Sequence, residues 1–134
     1  MATTLDLMEY ASDALAQAAY VTDGTYTVDL LSGGTASADN VALGAAANAC
    51  DDDSTYWLTG DVAYPHWWKY DFGSGVTKRI QQITLYEDAT LGGWRMKDFT
   101  IQGSNNDSDW TNIHTGQHAN NTNVQTFQFS NQNS

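Results

Sequence analysis

The sequence predicts an all-β domain, a β-sandwich or jelly roll, and three observations carry that prediction. Aromatic residues make up 12% of the chain, with five Trp and seven Tyr, and aromatics together with Thr favour strands. Short apolar runs are separated by Gly-, Asn-, Asp- and Ser-rich turn signals, without helical periodicity between them. The run His66–Phe72 alternates with period two, Trp68, Tyr70 and Phe72 on one side and Trp67, Lys69 and Asp71 on the other. A chain of 134 residues is one domain by size. It is long enough to bury a core without disulfides or a metal.

Each element can be justified in turn. Residues 1–34 read as an N-terminal arm and first strand, and 35–134 as the sandwich proper. Within the arm, the Ala-rich run from Ala11 to Val21 suits a short helix or an extended segment, with Ser12 a candidate cap. Tyr26–Leu31 reads as the first strand, stopped by Gly33-Gly34, and Thr35–Val41 as a second extended piece. Gly44–Asn48 is small and loop-like, and Asp51–Ser54 is an acidic turn. Strands follow at His66–Phe72, Ile80–Tyr86, Phe99–Ser104, Trp110–His114 and Thr126–Phe129, with a long loop from Glu87 to Trp94. Trp57, Trp68, Tyr70, Phe72, Phe99, Ile101 and Trp110 are expected in the core, and Trp67 is ambiguous because it faces away from Trp68.

Charge and cysteine content narrow the function. Five basic against sixteen acidic residues give a net charge of −11, which argues against nucleic acid, since no basic patch exists to displace counterions from phosphates. A single cysteine excludes an internal disulfide, and acidic neighbours make Cys50 a packed side chain rather than a reactive thiol. No signal peptide and no apolar run of membrane-spanning length is visible. The expectation is therefore a soluble protein without membrane insertion, working outside the cell or on a virion.

Four motifs occur in a fixed order: Asp51, Asp53, Thr55 and Trp57 around the acidic turn; Trp67 to Gly73; Lys97 to Asn105; and Trp110-Thr111. In this order they resemble the coagulation factor 5/8 type C, or discoidin, family, with its galactose-binding-like carbohydrate-binding modules, over roughly residues 35–130. The resemblance implies a jelly-roll β-sandwich that binds sugars, lipid headgroups or proteins through loops at one end, without catalysis, and often carries a structural calcium. The chain departs from the pattern in its Asp51-Asp52 turn, in the 1–34 arm, and in ending at Ser134 before the family's last strands and its late Glu. The missing strands predict an open sheet edge, to be filled by the arm, by a partner chain or by further sequence.

Two groups of residues are the candidate sites. Asp51, Asp53 and Thr55 alternate and offer hard oxygen ligands suited to calcium. The plain alternative is a turn that caps itself through side-chain bonds. Trp94 and Arg95 in the Gly92-Gly93 loop, Tyr64 and His66 before the aromatic strand, and Asp61 and Glu87 as hydroxyl acceptors form a candidate sugar site. For any one of them, packing or a surface ion pair is the simpler role. Catalysis finds little support. The carboxylates crowd into one turn rather than facing each other across a cleft, and no nucleophile elbow or zinc-protease motif occurs.

Two readings follow. One is a non-catalytic module recognising cell-surface glycans or polysaccharide, as part of a phage fibre or decoration protein. The other is a structural assembly subunit of a virion or extracellular filament, a homo-oligomer whose arm or open edge a neighbour completes. A weaker third is the targeting module of a larger secreted enzyme.

Overall fold

In the computed structural model, residues 4–9, 17–22, 29–53, 55–60, 63–86, 96–121 and 123–130 are described. Ten strands and one 3-10 turn make up the described fold: β1 (Thr4–Glu9), β2 (Gln17–Thr22), β3 (Thr35–Ala38), β4 (Leu43–Gly44), the 3-10 turn Ala46–Cys50, β5 (Trp57–Leu58), β6 (His66–Asp71), β7 (Gln82–Tyr86), β8 (Asp98–Ser104), β9 (Thr111–Gln117) and β10 (Gln125–Gln128). A five-stranded antiparallel sheet runs in the order β3-β6-β1-β8-β9, a three-stranded sheet in the order β10-β7-β2, and β4 pairs with β5. The all-β expectation holds.

The N-terminal residues are built into both larger sheets. β1 lies between β6 and β8, with Leu7 opposite both Trp68 and Ile101, and Leu5 opposite both Tyr70 and Gly103. β2 pairs with β7 at the edge of the smaller sheet. Of the run Ala11–Val21, expected as a short helix or an extended segment, residues 17–21 lie in strand, where β7 supplies the backbone partners, and residues 11–16 lie outside the described residues. A short Ala-rich segment is a marginal helix by itself, so sheet pairing decides its conformation. The strand expected over Tyr26–Leu31 is not seen in its described part. Asp29 turns the chain by accepting the Leu31 amide, and Leu30 and Leu31 are buried without strand pairing. Residues expected to be loop after Gly44 form the 3-10 turn.

One core joins the two larger sheets. Trp68, Tyr70, Phe99 and Ile101 from the first pack in a single cluster with Ile83 and Leu85 from the second, closed by Trp57, Phe72, Ile80 and Met96. The buried aromatics keep their polar atoms satisfied. Trp57 Nε1 donates to Asn40 O, Trp68 Nε1 to Ala46 O, and Tyr70 Oη accepts the Gly34 amide. Trp110 departs from expectation. It is only half-buried and stands outside this cluster, because it precedes β9 at the end of a turn that folds over the other face of the sheet.

Gly116 in β9 is required by packing. A Cβ there would lie 2.3 Å from the end of the Phe99 ring, a ring at the centre of the core. Gly116→Ala should lower stability by about 1–3 kcal/mol, as overpacking does. Urea unfolding reads this directly, and an unchanged midpoint would show that the Phe99 ring is not fixed against β9.

Candidate functional site

Strand pairing brings two lead-in segments to one end of the large sheet. β6 and β8 both run antiparallel to β1, and Glu9 stands opposite His66 on one side and Phe99 on the other. The segments that precede β6 and β8 therefore arrive at the same end of the sheet. Their described residues include Tyr64 just before β6, and Met96 and Lys97 just before β8. Trp94, Arg95, Asp61 and Glu87 themselves lie outside the described residues.

Tyr64 and His66 take different roles. Tyr64 is 43% exposed, and its ring meets the His66 ring edge-on, with centroids 5.2 Å apart. His66 is fully buried and cannot meet a ligand in this arrangement. Its Nδ1 lies 3.0 Å from Asp39 Oδ2, while Asp39 Oδ1 accepts the Trp67 amide at 3.1 Å. Among the described residues His66 Nε2 has no hydrogen-bond partner. Asp39 thus ties the end of β3 to the start of β6, and His66 supports Tyr64 from beneath.

The acidic turn is closed by its own bonds. Asp51 Oδ1 accepts the Asp53 amide at 3.1 Å, and Asp51 Oδ2 accepts a short bond from Thr55 Oγ1. Among the described residues, no three of His, Cys, Asp or Glu converge in a way that would hold a metal ion. Asp52 stands in the left-handed region at φ 56°. Burial raises its carboxyl above the usual range, and the charge and hydrogen bond of Asp29 and the charge of Asp51 add to this. Burial and the charges of Asp51, Asp29 and Asp52 push the Cys50 thiol up to about 11, so it is a poor nucleophile at neutral pH.

A second place on the molecule holds chemistry that the motifs do not point to. Trp67 and Lys69, on the outward side of β6, meet Asp107 and Trp110 in an open cleft of about 210 Å³. Lys69 Nζ donates to both oxygens of Asp107 at 2.9 Å and lies 5.6 Å from the centre of the Trp67 ring. The turn between β8 and β9 presents Asp107, and Asn106 braces that turn. Asn106 Oδ1 accepts the Ser108 and Asp109 amides, and its Nδ2 donates to Asp109. The alternation of β6 is the sequence signal for Trp67 and Lys69. Nothing in the sequence shows that residues 105–110 fold back over them.

With this geometry in view, comparison with known families decides the assignment. Residues 20–134 match the family model described as a NedA-like, galactose-binding domain of the F5/F8 type C group. The chain belongs to that family. Neither a curated protein nor a solved structure matches it. Membership makes this F5/F8 type C domain a carbohydrate-binding module in general terms, of a family that is a binding-domain type rather than a catalytic one. A binding module of this kind needs side chains presented from a rigid sandwich, and the Asp39–His66 tie is such a support.

Asp52 supplies a pH test with a definite sign. A raised carboxyl means that the fold disfavours the ionised form, so stability is lost as pH rises through the carboxylate range. Asp52→Asn removes that charge and suits a positive φ. The variant should melt above the parent near pH 7, with the gap closing towards about pH 3. Thermal melts over that range check it, and a gap independent of pH would show that charge crowding is not the cause.

Proposed function

We propose that this domain is a non-catalytic module that recognises cell-surface glycans through the end of the sheet where the chain leads into β6 and β8. The observation that carries the reading is the arrival of both lead-in segments beside Glu9, at an end where Tyr64 is exposed and supported by the buried His66 and its partner Asp39. An exposed aromatic ring supplies the platform on which the C–H face of a sugar stacks. From the sequence, Trp94 is a second candidate platform and Arg95, Asp61 and Glu87 are candidate polar partners that would select among hydroxyl patterns. Galactose-type sugars are the first class to try, given the family.

Display on a phage fibre or decoration protein is the setting proposed for this module. Among the described residues, β3 and β9 each pair on one side only, which leaves edges through which subunits of an oligomer can join. Calcium at the acidic turn is a separable part of the proposal. Its support is the set of hard oxygen ligands that Asp51, Asp53 and Thr55 offer on one turn.

Titration with methyl β-galactoside and a glycan array test the central reading. Binding is expected, and Tyr64→Ala together with Arg95→Ala should weaken it by about tenfold or more. Absence of binding to every sugar, with the fold intact and calcium present, would overturn the reading. Excess calcium against a chelator should raise the melting temperature if the turn takes the ion, and superimposable melts would remove calcium from the account.

A further inference from the structure

We infer that the outward face of the five-stranded sheet carries a second sugar site, the cleft formed by Trp67, Lys69, Asp107 and Trp110, and that it takes a neutral pyranose. The inference builds on the carbohydrate-binding reading but concerns a face of the sheet, not its loop end.

Four features distinguish the cleft from an ordinary surface ion pair. First, Trp67 and Trp110 are both half-buried beside it, so each keeps part of its indole in contact with solvent. Neither belongs to the core cluster that accounts for Trp57 and Trp68. Second, the carboxylate is held in place. Asp107 stands at φ 58° on the turn braced by Asn106, while its side chain remains 55% exposed. An exposed lysine–aspartate pair contributes little to folding, so stability alone does not account for so well-defined a turn.

Third, donor and acceptor lie side by side. Lys69 Nζ and the two Asp107 oxygens present an ammonium and a carboxylate within 2.9 Å of each other. Two vicinal hydroxyls of a pyranose match such a pair, one donating to the carboxylate and one accepting from the ammonium. The apolar C–H face of the same ring then lies against indole. Fourth, the polar row continues across the sheet. Lys69 is opposite Asp6, Asp6 opposite Gln102, and Gln102 opposite Asn112. Gln102 Nε2 donates to Asn112 Oδ1, so the row ends in a pair of bonded amides on β8 and β9.

The charge balance selects a neutral sugar. Lys69 is already matched by Asp107, and the chain carries a net charge of −11. A sialic acid, a uronic acid or a phosphate would find no uncompensated cation among the four residues of the cleft. The open, shallow shape suits one sugar ring lying flat.

The five tryptophans provide the test, because each reports a different place through its indole N–H resonance. Trp57 and Trp68 are buried with their Nε1 groups bonded to backbone carbonyls, and serve as fixed references. Trp94 reports the proposed loop end, and Trp67 and Trp110 report the cleft. The ¹⁵N-labelled full chain is titrated with methyl β-galactoside and with methyl β-glucoside. Saturable shifts of Trp67 and Trp110, with Trp57 and Trp68 still, are the expected result. Asp107→Asn keeps the shape of the turn and should weaken the cleft titration about tenfold while leaving any Trp94 titration unchanged. Lys69→Met should do the same.

If Trp94 titrates and Trp67 and Trp110 do not, the cleft is not a sugar site and the loop-end reading survives. If no tryptophan responds to either sugar, the cleft inference falls, and the loop-end reading stands or falls separately on the glycan array. If Trp67 and Trp110 shift with protein concentration in the absence of sugar, the cleft is a contact between copies of the chain, and the inference is overturned.

Discussion

β1 is hydrogen-bonded along both its edges, to β6 on one side and β8 on the other, and both candidate sugar sites are assembled across it. Strand spacing sets β6 and β8 roughly 10 Å apart once β1 stands between them. At one end of β1, Glu9 stands between the start of β6 and the start of β8. Further along, Asp6 lies between Lys69 and Gln102, in the row that leads from the cleft across the sheet. Without β1 the two halves of the large sheet would share no backbone bonds, and neither arrangement would exist. The strand also settles how the sheet is completed. Residues near the start of the chain occupy its middle, so β6 and β8 are not left as edges.

β6 divides the labour between fold and function by alternation alone. His66, Trp68 and Tyr70 face the core, while Trp67 and Lys69 face outwards. The inward set is anchored at several points: His66 by Asp39, Trp68 by the Ala46 carbonyl, Tyr70 by the Gly34 amide. A strand so fixed on one face presents its other face with little freedom, which is what a weakly binding sugar site needs. The same rigidity extends to the loop end through Asp39, whose second oxygen holds the Trp67 amide.

Much of this is legible in the sequence, and the misses have physical causes. Period-two alternation locates β6, β7 and β8 and assigns Trp68, Tyr70, Phe99 and Ile101 to the core. The same alternation places His66 inside with Trp68. Reading His66 as a ligand residue gives its nearness to the loop more weight than its parity. Trp110 looks like a core residue because strand-like neighbours flank it. Its real place depends on a turn that folds back over the sheet, a long-range fact that no local pattern encodes. The Ala-rich stretch before Val21 has little periodicity of either kind, so only its partner β7 could decide between helix and strand. The acidic turn is legible as a turn, and its closure by Asp51 follows from ordinary Asx chemistry.

The claim on which the rest depends is the central position of β1, and native-state hydrogen exchange tests it most directly. Amides along Thr4–Glu9 should exchange in the same slow class as those of β6 and β8, since every strand interior to a sheet opens only with the sheet itself. Exchange at the rate of an unstructured terminus, with β6 and β8 still protected, would contradict the account and dissolve the frame on which both sugar sites are placed.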